Sequence, residues 1–173
     1  EAPVNLDIRN TQIYNSAVNG LKGVAGNISA ENLVINNSGQ ASLQITGGNY
    51  LFRHSTIANY WGEGFRLYPA VLIENELSTA TNVRTIPLNS AIFSNCIIYG
   101  NESQELHFNR NEEASFEVEF KNCLIRFEDN AGTYSNQPLY DFSNEAHYRE
   151  ILLNNNPFFW NPLNNDLRLQ AGS

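Results

Sequence analysis

The chain has 173 residues, 42% of them hydrophobic, and a formal charge of −8, which fits one domain with a sizeable core. That charge argues against a nucleic-acid partner, whose phosphates need a basic footprint, and against an anionic membrane surface. No apolar run approaches the ~18 residues that a bilayer-spanning segment requires. Two cysteines, Cys96 and Cys123, are too few for a disulfide scaffold and lack metal-ligand spacing. Asparagine is over-represented at 27 residues. It tolerates the left-handed backbone region better than most residues, so a fold with many tight bends would select it.

In chain order, one phrase recurs. It reads IRNTQIYN at 8–15, AENLVINN at 30–37, FRHSTIAN at 52–59, IFSNCIIYGN at 92–101 and FKNCLI at 120–125. Each is a short strand, a polar residue at a bend, and a second strand. Aligning Ile13, Ile35, Ile57, Ile98 and Ile125 gives steps of 22, 22, 41 and 27 residues. The same register aligns Leu6, Ile28, Tyr50, Ala91 and Val118, and then Ile8, Ala30, Phe52, Phe93 and Phe120. A second pair of columns runs through Leu21, Leu43, Phe65 and Leu106, and through Gly23, Ile45, Leu67 and Phe108. The bend position holds Asn10, Asn32, His54, Asn95 and Asn122.

Within each unit apolar and polar positions alternate, the mark of strands with one buried face. Three such strands in about 22 residues suit a parallel β-solenoid, in which stacked laps bury a core that one lap cannot bury alone. The bend asparagines then sit above one another and can bond as ladders. Relative to a 22-residue lap, about 19 residues are added between Leu67 and Ala91 and about five between Phe108 and Val118. Both additions are assigned to the corner after the third strand, the larger as a loop over 68–90. Residues 136–173 leave the repeat. Ser143 followed by NEAHYREILL reads as a short capped helix, and Phe158, Phe159 and Trp160 as cover for the last lap. The outward residues Val34, Ile97 and Leu124 of the second strand are apolar, so the tail is expected along that sheet.

The repeated N-x-x-[IV] and N-C-[IL]-I phrases and the 22-residue step resemble the right-handed parallel β-helix of the pectin-lyase-like superfamily, over roughly residues 4–135. Handedness is what this resemblance implies. The closing NPFFWNPLNNDLRLQAGS at 156–173 is similar to the end of many bacterial secreted or surface-anchored β-helix proteins. There a P-x-F element precedes a D-[FLY]-R-L-x-x-G-S strand. The expected fold is therefore all-β: one right-handed parallel β-helix domain over 1–173, of about five coils in 4–135, with a tail containing a short helix. The start at Glu-Ala-Pro and the uncapped first lap suggest the C-terminal part of a longer protein.

Candidate chemistry gathers on the third strand, where Lys22, Gln44, Arg66 and His107 form an outward file. In β-helix lyases and hydrolases the substrate groove runs along an outer sheet, so this file is a candidate carbohydrate-binding row. A cation there would grip a uronate carboxylate. Tyr60 and Trp61, at the corner between second and third strands, are either a sugar-stacking platform or packing beneath the long insertion. The polygalacturonase-type N-T-D, D-D, G-H-G and R-I-K phrases are absent. A lyase-type site would need clustered carboxylates for calcium and an Arg or Lys base. Glu74, Glu76, Glu112 and Glu113 could approach Arg66 in that case. His54, His107 and His147 share no spacing, so no metal site is expected, and Cys96 and Cys123 read as two stacked buried thiols.

The residues thus favour a non-catalytic, secreted or cell-surface module, monomeric and without cofactors, that binds a polysaccharide or cell-surface glycan or serves as an adhesive or structural stalk. The alternative is a polysaccharide lyase or glycoside hydrolase acting on an acidic polysaccharide along the third sheet. Calcium enters only there.

Overall fold

A computed structural model describes residues 5–78 and 82–173. The chain is all-β. Its first five strands are β1 (Asn5–Ser16), β2 (Leu21–Ser38), β3 (Leu43–Arg53), β4 (Thr56–Asn59) and β5 (Val71–Glu74). A hairpin, β6 (Glu76–Ser78) and β7 (Val83–Thr85), follows, and then β8 (Leu88–Ser94), β9 (Ile97–Gly100) and β10 (Leu106–Asn109). Next come β11 (Phe116–Lys121), β12 (Leu124–Ile125), β13 (Tyr148–Arg149) and β14 (Leu152–Leu153). The end of the chain carries β15 (Phe159–Asn161) and β16 (Asp166–Leu169). Apart from the two hairpins β6–β7 and β15–β16, the strands form one curled parallel sheet.

Its register is the repeat read from the sequence. Ile13 pairs Ile35, Ile35 pairs Ile57, Ile57 pairs Ile98, and Ile98 pairs Ile125. The bends between strands fall where the polar residue stands. Asn10, Asn32, His54, Asn95 and Asn122 all take φ between 49° and 54°, the left-handed region that asparagine enters most readily. The amides also bond upward: Asn32 Nδ2 donates to Asn10 Oδ1 at 2.8 Å and Asn122 Nδ2 to Asn95 Oδ1 at 3.2 Å.

Inward columns fill the core. Phe52, Phe93, Phe120 and Tyr148 stack face to face at 5.0, 4.9 and 5.4 Å between centroids. Each ring covers the next, so aromatic area is buried in a continuous spine at the spacing of the strands. Cys96 and Cys123 are free thiols buried in the same core.

Four expectations need correction. Residues 143–153 are not helical: Tyr148 and Arg149 pair with Phe120 and Lys121, and Leu152 and Leu153 with Leu124 and Ile125. The repeat therefore makes a further pass beyond 135, with Glu150 at the bend at φ 55°. An isolated two-turn helix is marginal, whereas this segment gains ladder bonds and a stacked ring. The tail's helical content is two 3-10 turns, Pro138–Tyr140 and Pro162–Asn164.

The long insertion is also divided. Leu43 pairs Val71 and Ile45 pairs Ile73, so the third-strand columns run through Val71 and Ile73, and Phe65 and Leu67 are 86% and 80% exposed. The addition straddles β5, one part ahead of it at the preceding corner and the rest after it. The last inward layer is covered by Phe127, Tyr134, Leu139, Tyr140 and Phe142, while Phe158 and Trp160 stay exposed.

The tail does lie along the second-strand sheet. Asn36 Nδ2 donates to Pro162 O at 2.8 Å and to Asn165 Oδ1 at 2.9 Å, and residues 164–168 face Gln12, Val34 and Thr56. Among the described residues no helix is long and apolar enough to cross a membrane.

Candidate functional site

The third-strand file exists, with one replacement. Lys22 pairs Gln44, Gln44 pairs Leu72, and Leu72 pairs His107. Leu72 occupies the place assigned to Arg66. Because β5 begins at Val71, Arg66 falls in the corner loop ahead of it, and that loop folds its side chain inward.

Arg66 is 3% exposed. Its Nη2 donates to Glu105 Oε1 at 2.7 Å, to Asn101 Oδ1 at 2.8 Å and to Asn59 O at 3.1 Å. Nη1 donates to Glu105 Oε2 at 3.0 Å and to the Tyr68 carbonyl. Glu105, fully buried, accepts two further bonds, from Ala70 N at 2.7 Å and Glu102 N at 2.9 Å. Burial pushes the Glu105 carboxyl up, and the guanidinium with these two N–H groups pulls it back. The fork of Arg66 on Glu105 is bidentate, the strong form of this pair. It holds the 60–69 loop against the start of β10 and leaves no free cation there.

Beside this pair, a cleft of about 600 Å³ opens on the outer face of β5 and β10. Tyr68, Leu72 and Tyr134 supply rings and apolar surface, and Glu74, Glu102, Gln104, His107 and Asn109 supply polar groups. Glu74 is oriented by three neutral donors: Gln44 Nε2 at 2.7 Å, Thr46 Oγ1 at 3.3 Å and Asn109 Nδ2 at 3.3 Å. His107 Nδ1 lies 3.2 Å from the Tyr140 hydroxyl, which itself accepts the Phe108 N–H at 2.9 Å. A neutral imidazole with its proton on Nε2 can accept the Tyr140 hydroxyl proton at Nδ1. Burial lowers the His107 pKa in the same sense, against a weaker upward pull from Glu74. The cleft is thus polar, ring-lined and mildly anionic.

The other sequence candidates are dispersed. Tyr60 is half-buried with its ring edge-on to Phe159, 6.1 Å between centroids. Trp61 is half-buried near Gly39, and neither ring lines the cleft. Tyr60 is therefore packing, and what covers it is the tail. Glu76 sits on the β6–β7 hairpin, bonded to Asn111 and Ser78, which hold its carboxyl below the usual range. Glu112 and Glu113 are exposed on the next turn and are not among the hydrogen-bond partners of Arg66. Among the described residues no group of three or more His, Cys, Asp or Glu side chains is placed to hold a metal ion.

Tyr68, Gln104 and Tyr134 were not singled out from sequence. Tyr68 was hidden by alternation itself: FRLY at 65–68 alternates as LQIT at 43–46 does, whereas the true strand VLIE at 71–74 carries an apolar Leu72 on its outer face. Gln104 and Tyr134 carry no local signal. No protein-family profile, characterised protein or solved structure matches this chain.

Proposed function

We propose that the chain is a right-handed parallel β-helix module of the pectin-lyase-like kind, secreted or displayed on a cell surface, that binds a glycan without transforming it. The stacked register of laps, the asparagine bends and the closing D-L-R-L-x-x-G-S strand support the fold half of this reading. The cleft over β5 and β10 supports the rest. Tyrosine faces at Tyr68 and Tyr134 offer apolar area for a sugar ring at small ordering cost. Glu74, Gln104 and Asn109 offer the acceptors and donors that hydroxyl groups need.

The observation that carries the reading is the commitment of Arg66 to Glu105. With Arg66 committed to Glu105 and burial holding the His107 pKa down, the described lining of the cleft offers no free cation to a uronate carboxylate. It suits a neutral saccharide. The same commitment removes the arginine base on which the lyase alternative was built.

The test is a glycan array followed by calorimetry with the wild type and with Tyr68→Ala combined with Gln104→Ala. Neutral oligosaccharides should bind ahead of uronates, and the double variant should lose roughly tenfold or more in affinity. Absence of binding to every saccharide would sink the proposal, and turnover of any polysaccharide would replace it with an enzymatic one.

A further inference from the structure

The two ends of the stack are finished differently. At the far end the mainly aromatic lid of Phe127, Tyr134, Leu139, Tyr140 and Phe142 closes over Tyr148 and Phe108. At the near end the inward residues of β1 have no such lid among the described residues. Leu6 is 43% exposed, and Ile8 and Ile13 are half-buried, whereas Ile28, Ala30 and Ile35, their partners on β2, are buried. The edge itself is long: twelve residues, ten of them paired to β2 with no shift of register, bending at Asn10 and Asn15. It contains no proline, and its charged residues Asp7 and Arg9 bond to each other. Such an edge is one that folded proteins normally cover.

The asparagine ladders say what kind of cover fits. Asn27 Nδ2 donates to Asn5 Oδ1, Asn32 to Asn10, Asn37 to Asn15, Asn49 to Asn27 and Asn122 to Asn95. These five Asn–Asn bonds all run in one sense, with the later lap donating. Asn5, Asn10 and Asn15 therefore end their ladders with free amide N–H groups pointing off the edge, with no partner among the described residues. These three donors sit at fixed intervals along a strand whose inner face is apolar.

From this geometry we infer that the β1 edge is a docking surface for one further lap of parallel β-structure. That lap places carbonyl oxygens opposite Asn5, Asn10 and Asn15, and apolar side chains opposite Leu6, Ile8 and Ile13. It is the interface already made between β1 and β2, repeated once outward. A second copy of this chain does not supply it. Head to tail, the copy offers its aromatic lid; head to head, amide donors meet amide donors. The inference does not depend on the glycan reading, since no cleft residue takes part.

The test grafts such a lap. A copy of residues 27–48 placed directly before Asn5 keeps the register and is compared with a Gly/Ser extension of equal length. A third protein carries the same copy with the residues derived from Asn27, Asn32 and Asn37 changed to lysine. The first graft should raise the thermal midpoint by about 5 °C or more and slow amide exchange along β1 by about tenfold or more. The lysine graft should fall well short of it. A first graft no better than the Gly/Ser extension overturns the inference. So does a concentration-dependent dimer of the unmodified chain with β1 protected from exchange, because the surface would then belong to a second copy.

Discussion

Arg66 and Glu105, 39 positions apart, meet in a doubly bonded fork with both side chains sealed from water. Removing one partner leaves a buried charge unpaired. Glu105→Ala or Arg66→Leu should each cost about 3–5 kcal/mol in urea unfolding. The combined Arg66→Met, Glu105→Leu protein should recover part of that loss. Full recovery is not expected, because Ala70 N and Glu102 N would lose their acceptor. A single variant costing under about 1 kcal/mol would show that the fork contributes little.

The ring spine should be most sensitive at its middle. Phe93 is covered on both faces by Phe52 and Phe120, so Phe93→Ala should cost about 3–5 kcal/mol. Tyr148 has a ring of the spine on one side only. Tyr148→Ala should cost less and should speed amide exchange selectively over 148–153. Equal losses at the two positions would contradict a stacked column with an end.

The bends can be separated into conformation and ladder. Asn32 sits at φ 54° and bonds to Asn10. Asn32→Gly keeps the backbone free to bend and loses only the amide bond, a change of about 0.5–1.5 kcal/mol. Asn32→Val adds the left-handed strain of a branched residue, a further ~1–2 kcal/mol. The stability order wild type, Gly, Val is expected in denaturant melts. A valine variant as stable as the glycine variant would mean the bend does not constrain this residue.

His107 makes stability depend on pH in a definite direction. Its native pKa is depressed below 6.5 by burial, so the unfolded chain takes up the proton first. Its contribution is present above the unfolded value and is lost as pH falls through the lower native one. Protonation of Nδ1 would also require the Tyr140 hydroxyl to turn from donor to acceptor in this contact. Urea midpoints should therefore drop between pH 7.5 and 5, and His107→Gln should flatten this part of the profile. Glu74, the charged group facing the imidazole, pulls the other way and limits the size of the effect. A midpoint that rises on acidification would reverse the assignment.

Periodicity made most of the core readable in advance, because Ile13, Ile35, Ile57, Ile98 and Ile125 are related by strand pairing alone. Two kinds of information lay outside it. Tyr148 and Leu152 belong to the register, but a run containing Glu145, Ala146 and Glu150 has helical propensity. The ladder bonds to β11 and β12 and the ring of Phe120 beneath Tyr148 decide the contest. Arg66 failed for a different reason. A fixed 22-residue step placed it on a strand, and the true strand starts at Val71, so a cation expected in solvent became one half of a buried pair. The cleft depended on that shift, and Gln104 and Tyr134 reach it only through loops whose paths no alternation records.

Asn165, near the end of the chain, donates to Asn15 on the first strand at 2.9 Å, across 150 positions. Stacks in which each layer touches only its neighbours tend to peel from either end independently, like a zipper with two sliders. Here the closing hairpin straps the first layer from outside, so peeling at the start must also unfasten the finish. The opening strand of the polypeptide is locked only when its final residues arrive, and local fraying becomes a shared event.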